Sequence, residues 1–191
     1  STKNSIKKLK SAKKRKLNVT ADVSVNNLFL TEDKVNDFDT RYKTMPPLRT
    51  KSDKNALIKG LKEGVIDVIT SDHSPIDPEN KKIEFNQAKY GLIGLETIFG
   101  LLGKYLSSHL SITQIIEKIS INPRKVLKLN KMIIQEGEFA DITLFDPKLK
   151  WTFKKEDIKS KSKNTPFLEK NLIGKPLAIY NNGKFKKCWF I

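Results

Sequence analysis

The sequence predicts an α/β protein that ends in a small β part. Three observations carry this. Strand-like and helix-like periodicities alternate as far as Lys131, short β segments broken by Gly, Pro and Asn follow, and the stretch Val68 to Pro78 (VITSDHSPIDP) ends a β run on an ionisable pair. With 191 residues, 38% of them hydrophobic, the chain can bury the core of one or two globular units.

The elements follow in order. STKNSIKKLKSAKKRK (1–16) places Ile6, Leu9 and Ala12 on one face among lysines, which is an amphipathic helix entered through Ser1 or Thr2. NVTADVSV alternates Val19, Ala21, Val23 and Val25, so residues 19–25 read as a strand. A helix is expected from Ser52, with Ala56, Leu57, Ile58 and Leu61 apolar and Gly64 where a helix stops. It feeds a second strand over 65–71, parallel to the first. The apolar run Tyr90–Leu106 reads as a helix, Ser111 with Gln114 opens another on a capping box, and residues 123–129 make one more after Asn122-Pro123. Beyond Gly137, GEFADITLFDP, WTFKKEDI and PLAIYNNGKFKKCWF read as β segments of a separate layer, the last with a hairpin signal at Asn182-Gly183.

Composition narrows the function classes. The net charge of +16 invites a nucleic-acid reading, yet only four of the 37 basic residues are arginines (Arg15, Arg41, Arg49, Arg124) and the lysines are scattered. Recognition of phosphate and bases uses arginine's planar fork, often with interleaved aromatics, so a solvated lysine surface is expected and no nucleic-acid partner. The single cysteine, Cys188, excludes a disulfide framework and suggests a reducing compartment. No apolar run reaches the roughly 18 residues of a membrane span, and residues 1–16 lack the apolar segment of a signal peptide, so a cytoplasmic protein is expected.

Asp72 and His73 fall at the carboxyl end of the second strand, where βα architectures gather their chemistry. Asp72 could equally cap the turn, since Asp-His-Ser-Pro is good turn chemistry. Position alone leaves both open.

A resemblance adds to these readings. RYKTMPPLRTKSDKNALIKGLKEGVIDVITSDHSP, FNQAKYGLIGLET, NPRKVLKL, GEFADITLFDP and SKSKNTPF together resemble the C-terminal part of a dihydroorotase of the amidohydrolase superfamily. The resemblance implies a (β/α)8 TIM barrel whose last strands and helices lie in residues 1–131, with 132–191 forming a small β domain segment and a tail packed on the barrel. It implies a piece of a longer polypeptide supplying the earlier strands, and an ordered, extended tail over 160–176. It further implies zinc-dependent, reversible ring closure of N-carbamoyl-L-aspartate to dihydroorotate, in pyrimidine biosynthesis. Asp72 would be both metal ligand and catalytic proton shuttle, with Tyr90 and Gly91 binding substrate through their backbone.

Other positions depart from the family's pattern. Met45 stands where it has a substrate-contacting Asn, Ile76 where it has a His for the substrate's carboxylate, and Asn26-Asn27 where a His-His ends the preceding strand. His73 reads as a packed neighbour of the site and His109 as a surface loop residue. Three functions stay open: a dihydroorotase with altered contacts, a non-catalytic dihydroorotase-like partner of aspartate carbamoyltransferase or of a second copy, or an amidohydrolase acting on another cyclic amide.

Overall fold

The computed structural model describes residues 1–130 and 133–188. Its first helix, α1 (Lys3–Lys14), is capped by Thr2, whose hydroxyl accepts from the Ser5 N–H. Ile6 packs toward Gly60, and Lys10 and Lys13 pair with Glu63 and Asp67 at 2.7 Å each. These contacts lay α1 against α3 (Lys51–Lys62), which Thr50 caps and which Gly64, at φ +70°, ends as expected.

Strand β1 (Asp22–Ser24) pairs in parallel with β2 (Val68–Thr70), in the register Asp22 to Val68, Val23 to Ile69 and Ser24 to Thr70. Both are shorter than the expected 19–25 and 65–71. Ser24 shortens the first, because its hydroxyl accepts from the Asn26 N–H and starts a helix, α2 (Val25–Phe29). Asn26 and Asn27 therefore lie in that helix, not at a strand end.

The largest correction concerns Tyr90–Leu106. Only Ile98–Leu106 (α4) is helical, while residues 90–97 form an irregular segment in which Leu92 bridges His73 in parallel. Apolar content there reflects burial of Leu92 and Ile93, not helical periodicity. The capping box is present in α5 (Ile112–Ile116), which runs through a π turn at Glu117–Ile121 into α6 (Asn122–Val126). From this stretch Lys118 Nζ donates to the Ile66 carbonyl at 2.7 Å and Asn122 Nδ2 to that of Asp67 at 2.9 Å, covering the entry to β2.

The β part is a three-stranded antiparallel sheet of β3 (Ile142–Thr152), β4 (Asn171–Asn181) and β5 (Lys184–Lys187). Two expected segments are one strand here, with an irregularity between Asp146 and Lys150, and Lys155–Asp157 is a 3-10 turn where β was expected. The hairpin at Asn182-Gly183 is present, both residues left-handed at φ +49° and +73°. Trp189 and Phe190, at the end of the expected β segment, lie outside the described residues.

The two sheets share one apolar cluster, in which Leu172, Phe153 and Phe167 of the β part meet Leu57, Ile66, Leu92, Leu101 and Leu102. Contact is closest between α4 and β4: a Cβ on Gly103 would collide with the Ile173 carbonyl oxygen, and one on Gly100 would sit 2.9 Å from Leu172 Cβ. Gly103→Ala is therefore expected to destabilise the fold by about 2 kcal/mol, through overpacking against backbone that cannot rotate away. Gly60→Ala, in α3, where a Cβ would meet its nearest neighbours at 3.4 Å in ordinary contact, is the control for glycine removal from a helix. Denaturant unfolding checks this, and an unchanged midpoint for Gly103→Ala would contradict the packing.

Candidate functional site

The carboxyl ends of β1 and β2 carry the candidate site, because there the chain turns away from the sheet on polar side chains. Asp72 lies just past β2 in a left-handed conformation, φ +52°, an uncommon choice for a non-glycine residue. Its Oδ2 accepts from Ser24 Oγ at 2.9 Å, tying the two strand ends together. Ser24 thus serves twice, as cap of α2 and as donor to the carboxylate.

His73 faces the other way. Its Nδ1 accepts from the backbone N–H groups of Gly94 and Leu95, at 3.2 and 3.4 Å, which assigns the ring proton to Nε2 when neutral. The residue holds the 94–95 turn. Ser74 N–H donates to the Leu92 carbonyl at 2.8 Å, so the loop after β2 and the segment before α4 run as a short zipper.

Gly91 sits at the centre of a third set of bonds. Its N–H donates to the Lys43 carbonyl at 3.0 Å, while its own carbonyl accepts from Lys81 Nζ at 3.1 Å and Asn164 Nδ2 at 2.8 Å. Both lone pairs and the donor are committed inside the fold. Its φ of +127° and the Ser74 carbonyl oxygen, 2.8 Å from where a Cβ would stand, require glycine there. Tyr90, next to it, is half-exposed, with Lys43 Nζ 4.8 Å from its ring centroid.

Met45 and Ile76, the two family positions that have become apolar, differ in setting. Met45 is 57% exposed, just before Pro46, while Ile76 is half-buried and its carbonyl accepts from Ser162 Oγ at 2.8 Å. Asn27 Nδ2 donates to the Pro47 carbonyl at 3.1 Å. Asn26 is fully buried, and neither its Oδ1 nor its Nδ2 has a partner among the described residues. His109 ends the turn after α4, away from these groups, its N–H donating to the Leu106 carbonyl.

Two charged groups near the site are perturbed. Lys81, buried and bonded to the Lys89 and Gly91 carbonyls, is pushed down to about 8 by burial first and by the nearby Lys43 ammonium second, against the pull of Asp39. Burial works to raise the Glu96 carboxyl. The Ser160 hydroxyl and N–H bonded to its Oε1, with His73 nearby, overcome that and hold it below the usual range.

Sequence reasoning missed Ser24, Lys43, Lys81, Ser162 and Asn164. Ser162 and Asn164 lie in a quoted motif, SKSKNTPF, but only the fold reveals which carbonyls they reach. The two lysines carry no signal in a chain where lysine is everywhere.

The Amidohydrolase family model matches residues 5–184. Dihydroorotase of Caldicellulosiruptor saccharolyticus is 46% identical over 189 residues, covering 98% of this chain and 44% of that protein. Dihydroorotase of Clostridioides difficile is 44% identical over 168 residues, 87% of this chain and 39% of that one. Among solved structures, D-hydantoinase from Thermus sp. superposes with a TM-score of 0.88 at 24% identity, over 100% of this chain and 44% of its own. The inactive dihydroorotase-like domain of the Chaetomium thermophilum CAD-like multifunctional protein gives 0.70 at 21%, over 97% of this chain and 48% of that one. At these identities the structures speak to fold alone.

The chain belongs to the amidohydrolase family, with the α/β architecture of part of its barrel. Within that family it is of the dihydroorotase type, and it spans less than half the length of the curated relatives it matches.

Amidohydrolases are generally metal-dependent. Zinc takes thiolate, imidazole and carboxylate ligands, typically three or four together. Of the groups gathered at the strand ends, Asp72 is the one suited donor. Asn26 and Asn27 are neutral amides, and His73 Nδ1 is taken by backbone N–H groups. Among the described residues no cluster of three His, Cys, Asp or Glu side chains could hold an ion. These residues by themselves do not fit a zinc centre.

The Lys81 environment makes a pH prediction. Its folded-state pKa lies below the ordinary lysine value of 10.5, so between about 8 and 10.5 the unfolded chain binds more protons than the folded one. Stability should therefore rise with pH across that window. Lys81→Met should flatten the rise, read from urea unfolding at pH 7, 9 and 10. An unchanged slope in the variant would contradict the assignment.

Proposed function

We propose that this chain is the C-terminal part of a dihydroorotase-type protein that no longer turns over dihydroorotate and persists as a non-catalytic module. The observation behind this is the pair Met45 and Ile76, two side chains that can neither donate a hydrogen bond nor pair with an anion, at positions where the family contacts its substrate. A substrate carboxylate desolvated against them would go uncompensated, and each missing partner at a buried polar group costs about 1–3 kcal/mol. Gly91 offers no relief, since its N–H and carbonyl are already bonded within the fold.

Asp72 then keeps its place as the tie between β1 and β2. In this reading residues 1–131 are barrel and 132–191 the small β segment and tail, in a cytoplasmic protein whose zinc ligation depends on residues beyond those described. A scaffold role beside aspartate carbamoyltransferase or a second copy is the companion proposal. It follows from the same two substitutions, which leave the fold in place without a substrate to serve.

The test is a zinc-supplemented assay of ring closure from carbamoyl aspartate, using the complete polypeptide. The unmodified protein is expected to show no turnover above background. Met45→Asn combined with Ile76→His should raise affinity or turnover only if the remainder of the protein supplies the metal ligands. Robust turnover by the unmodified protein would contradict the proposal.

A further inference from the structure

The segment Ser160–Thr165 touches both loops at the carboxyl end of β2, and it does so through side chains and backbone alike. Ser160 donates its N–H and hydroxyl to Glu96 Oε1. Ser162 Oγ donates to the Ile76 carbonyl at 2.8 Å. Asn164 donates its carboxamide to the Gly91 carbonyl at 2.8 Å, and its own backbone carbonyl accepts from the Ile93 N–H at 2.9 Å. Ile76, Gly91, Ile93 and Glu96 are thus gathered under one six-residue stretch that has no regular secondary structure of its own.

We propose that Ser160–Thr165 is a strap that closes the carboxyl end of β2, seated through the Gly91 carbonyl, which Asn164 shares with Lys81. While the strap is seated, both lone pairs of the Gly91 carbonyl are taken and it is unavailable to any ligand. Contact through it requires the strap to lift.

Two features make lifting a discrete event. The strap is fastened at separate points and bounded by buried Phe167, which stays in the core cluster as an anchor. Its Glu96 clamp also leaves Oε2 buried with no partner among the described residues, a cost that release into water removes. Lys81 reaches the same oxygen from the 80–91 loop and shares it with Asn164. Removing either donor leaves the carbonyl one partner, and removing both leaves it none. The effects must therefore be coupled.

The inference rests on the β2 end being the ligand-facing edge, as the proposed function has it. Its test is separate, because hydrogen exchange reports on the strap alone and ring closure on catalysis alone. Amide exchange is measured in the complete polypeptide carrying Asn164→Ala, Lys81→Met, or both. Each single variant should raise exchange at Ser74, Gly91 and Ile93 by about five- to tenfold, the worth of one hydrogen bond. The double variant should exceed the product of the two, with amides of α3 such as Leu61 unchanged. Ser162→Ala, which removes one donor from the Ile76 carbonyl, is the milder variant should the double one not fold, and it should raise exchange at Ser74. Exchange that does not change, that multiplies without coupling, or that rises equally in α3 would overturn the strap.

Discussion

Gly94 lies so close to the end of β2 that a Cβ on it would collide with the Ser71 carbonyl oxygen. That closeness is the constraint on which the candidate site depends. It brings the 91–95 segment down onto residues 71–76, lets His73 accept from the Gly94 and Leu95 N–H groups, and aligns Leu92 beside His73. Leu92 and Ile93 then enter the core completely, which fixes the start of α4. The local geometry at Asp72 follows from the same packing: the left-handed turn lets the carboxylate reach Ser24 while the next residue turns away from it.

Around this seam the fold satisfies backbone carbonyls with side-chain donors. Lys43 Nζ donates to Phe85 and Asn86, Lys81 Nζ to Lys89 and Gly91, and Lys118 Nζ to Ile66. Each is a buried cation that gains charge-assisted hydrogen bonds from irregular backbone, the kind of chain least able to satisfy itself. The cost is desolvation, visible in the lowered pKa of Lys81 and of Lys118. Part of the lysine richness is thus structural, though most of these side chains remain a solvated surface.

Local signals were legible where a physical rule acts within a few residues. The capping box at Ser111 and Gln114, the helix stop at Gly64 and the hairpin at Asn182-Gly183 all appear where the residues place them. The parallel pairing of the two short strands and the position of Asp72 after the second were legible from alternation and from the run of valine and isoleucine. What escaped was set by contacts distant in sequence. Tyr90–Thr97 has a helix-like apolar content, yet the zipper with the loop after β2 overrides it. Val25–Phe29 coils because Ser24 offers its hydroxyl to Asn26, a choice that alternation cannot register. The roles of Ser162 and Asn164 depend on carbonyls 86 and 73 positions away, beyond any local pattern.

In the proposed reading, the end of β2 has lost the side chains that would receive a substrate's charge, with Met45 and Ile76 in their place. Calorimetric titration of the complete polypeptide with dihydroorotate, zinc present, tests this most directly, because it measures recognition without requiring turnover. No saturable heat is expected up to about 1 mM ligand, an affinity weaker than roughly 4 kcal/mol of binding free energy. Saturable binding in the micromolar range would contradict it, and would mean that groups other than Met45, Ile76 and the Gly91 backbone hold the substrate.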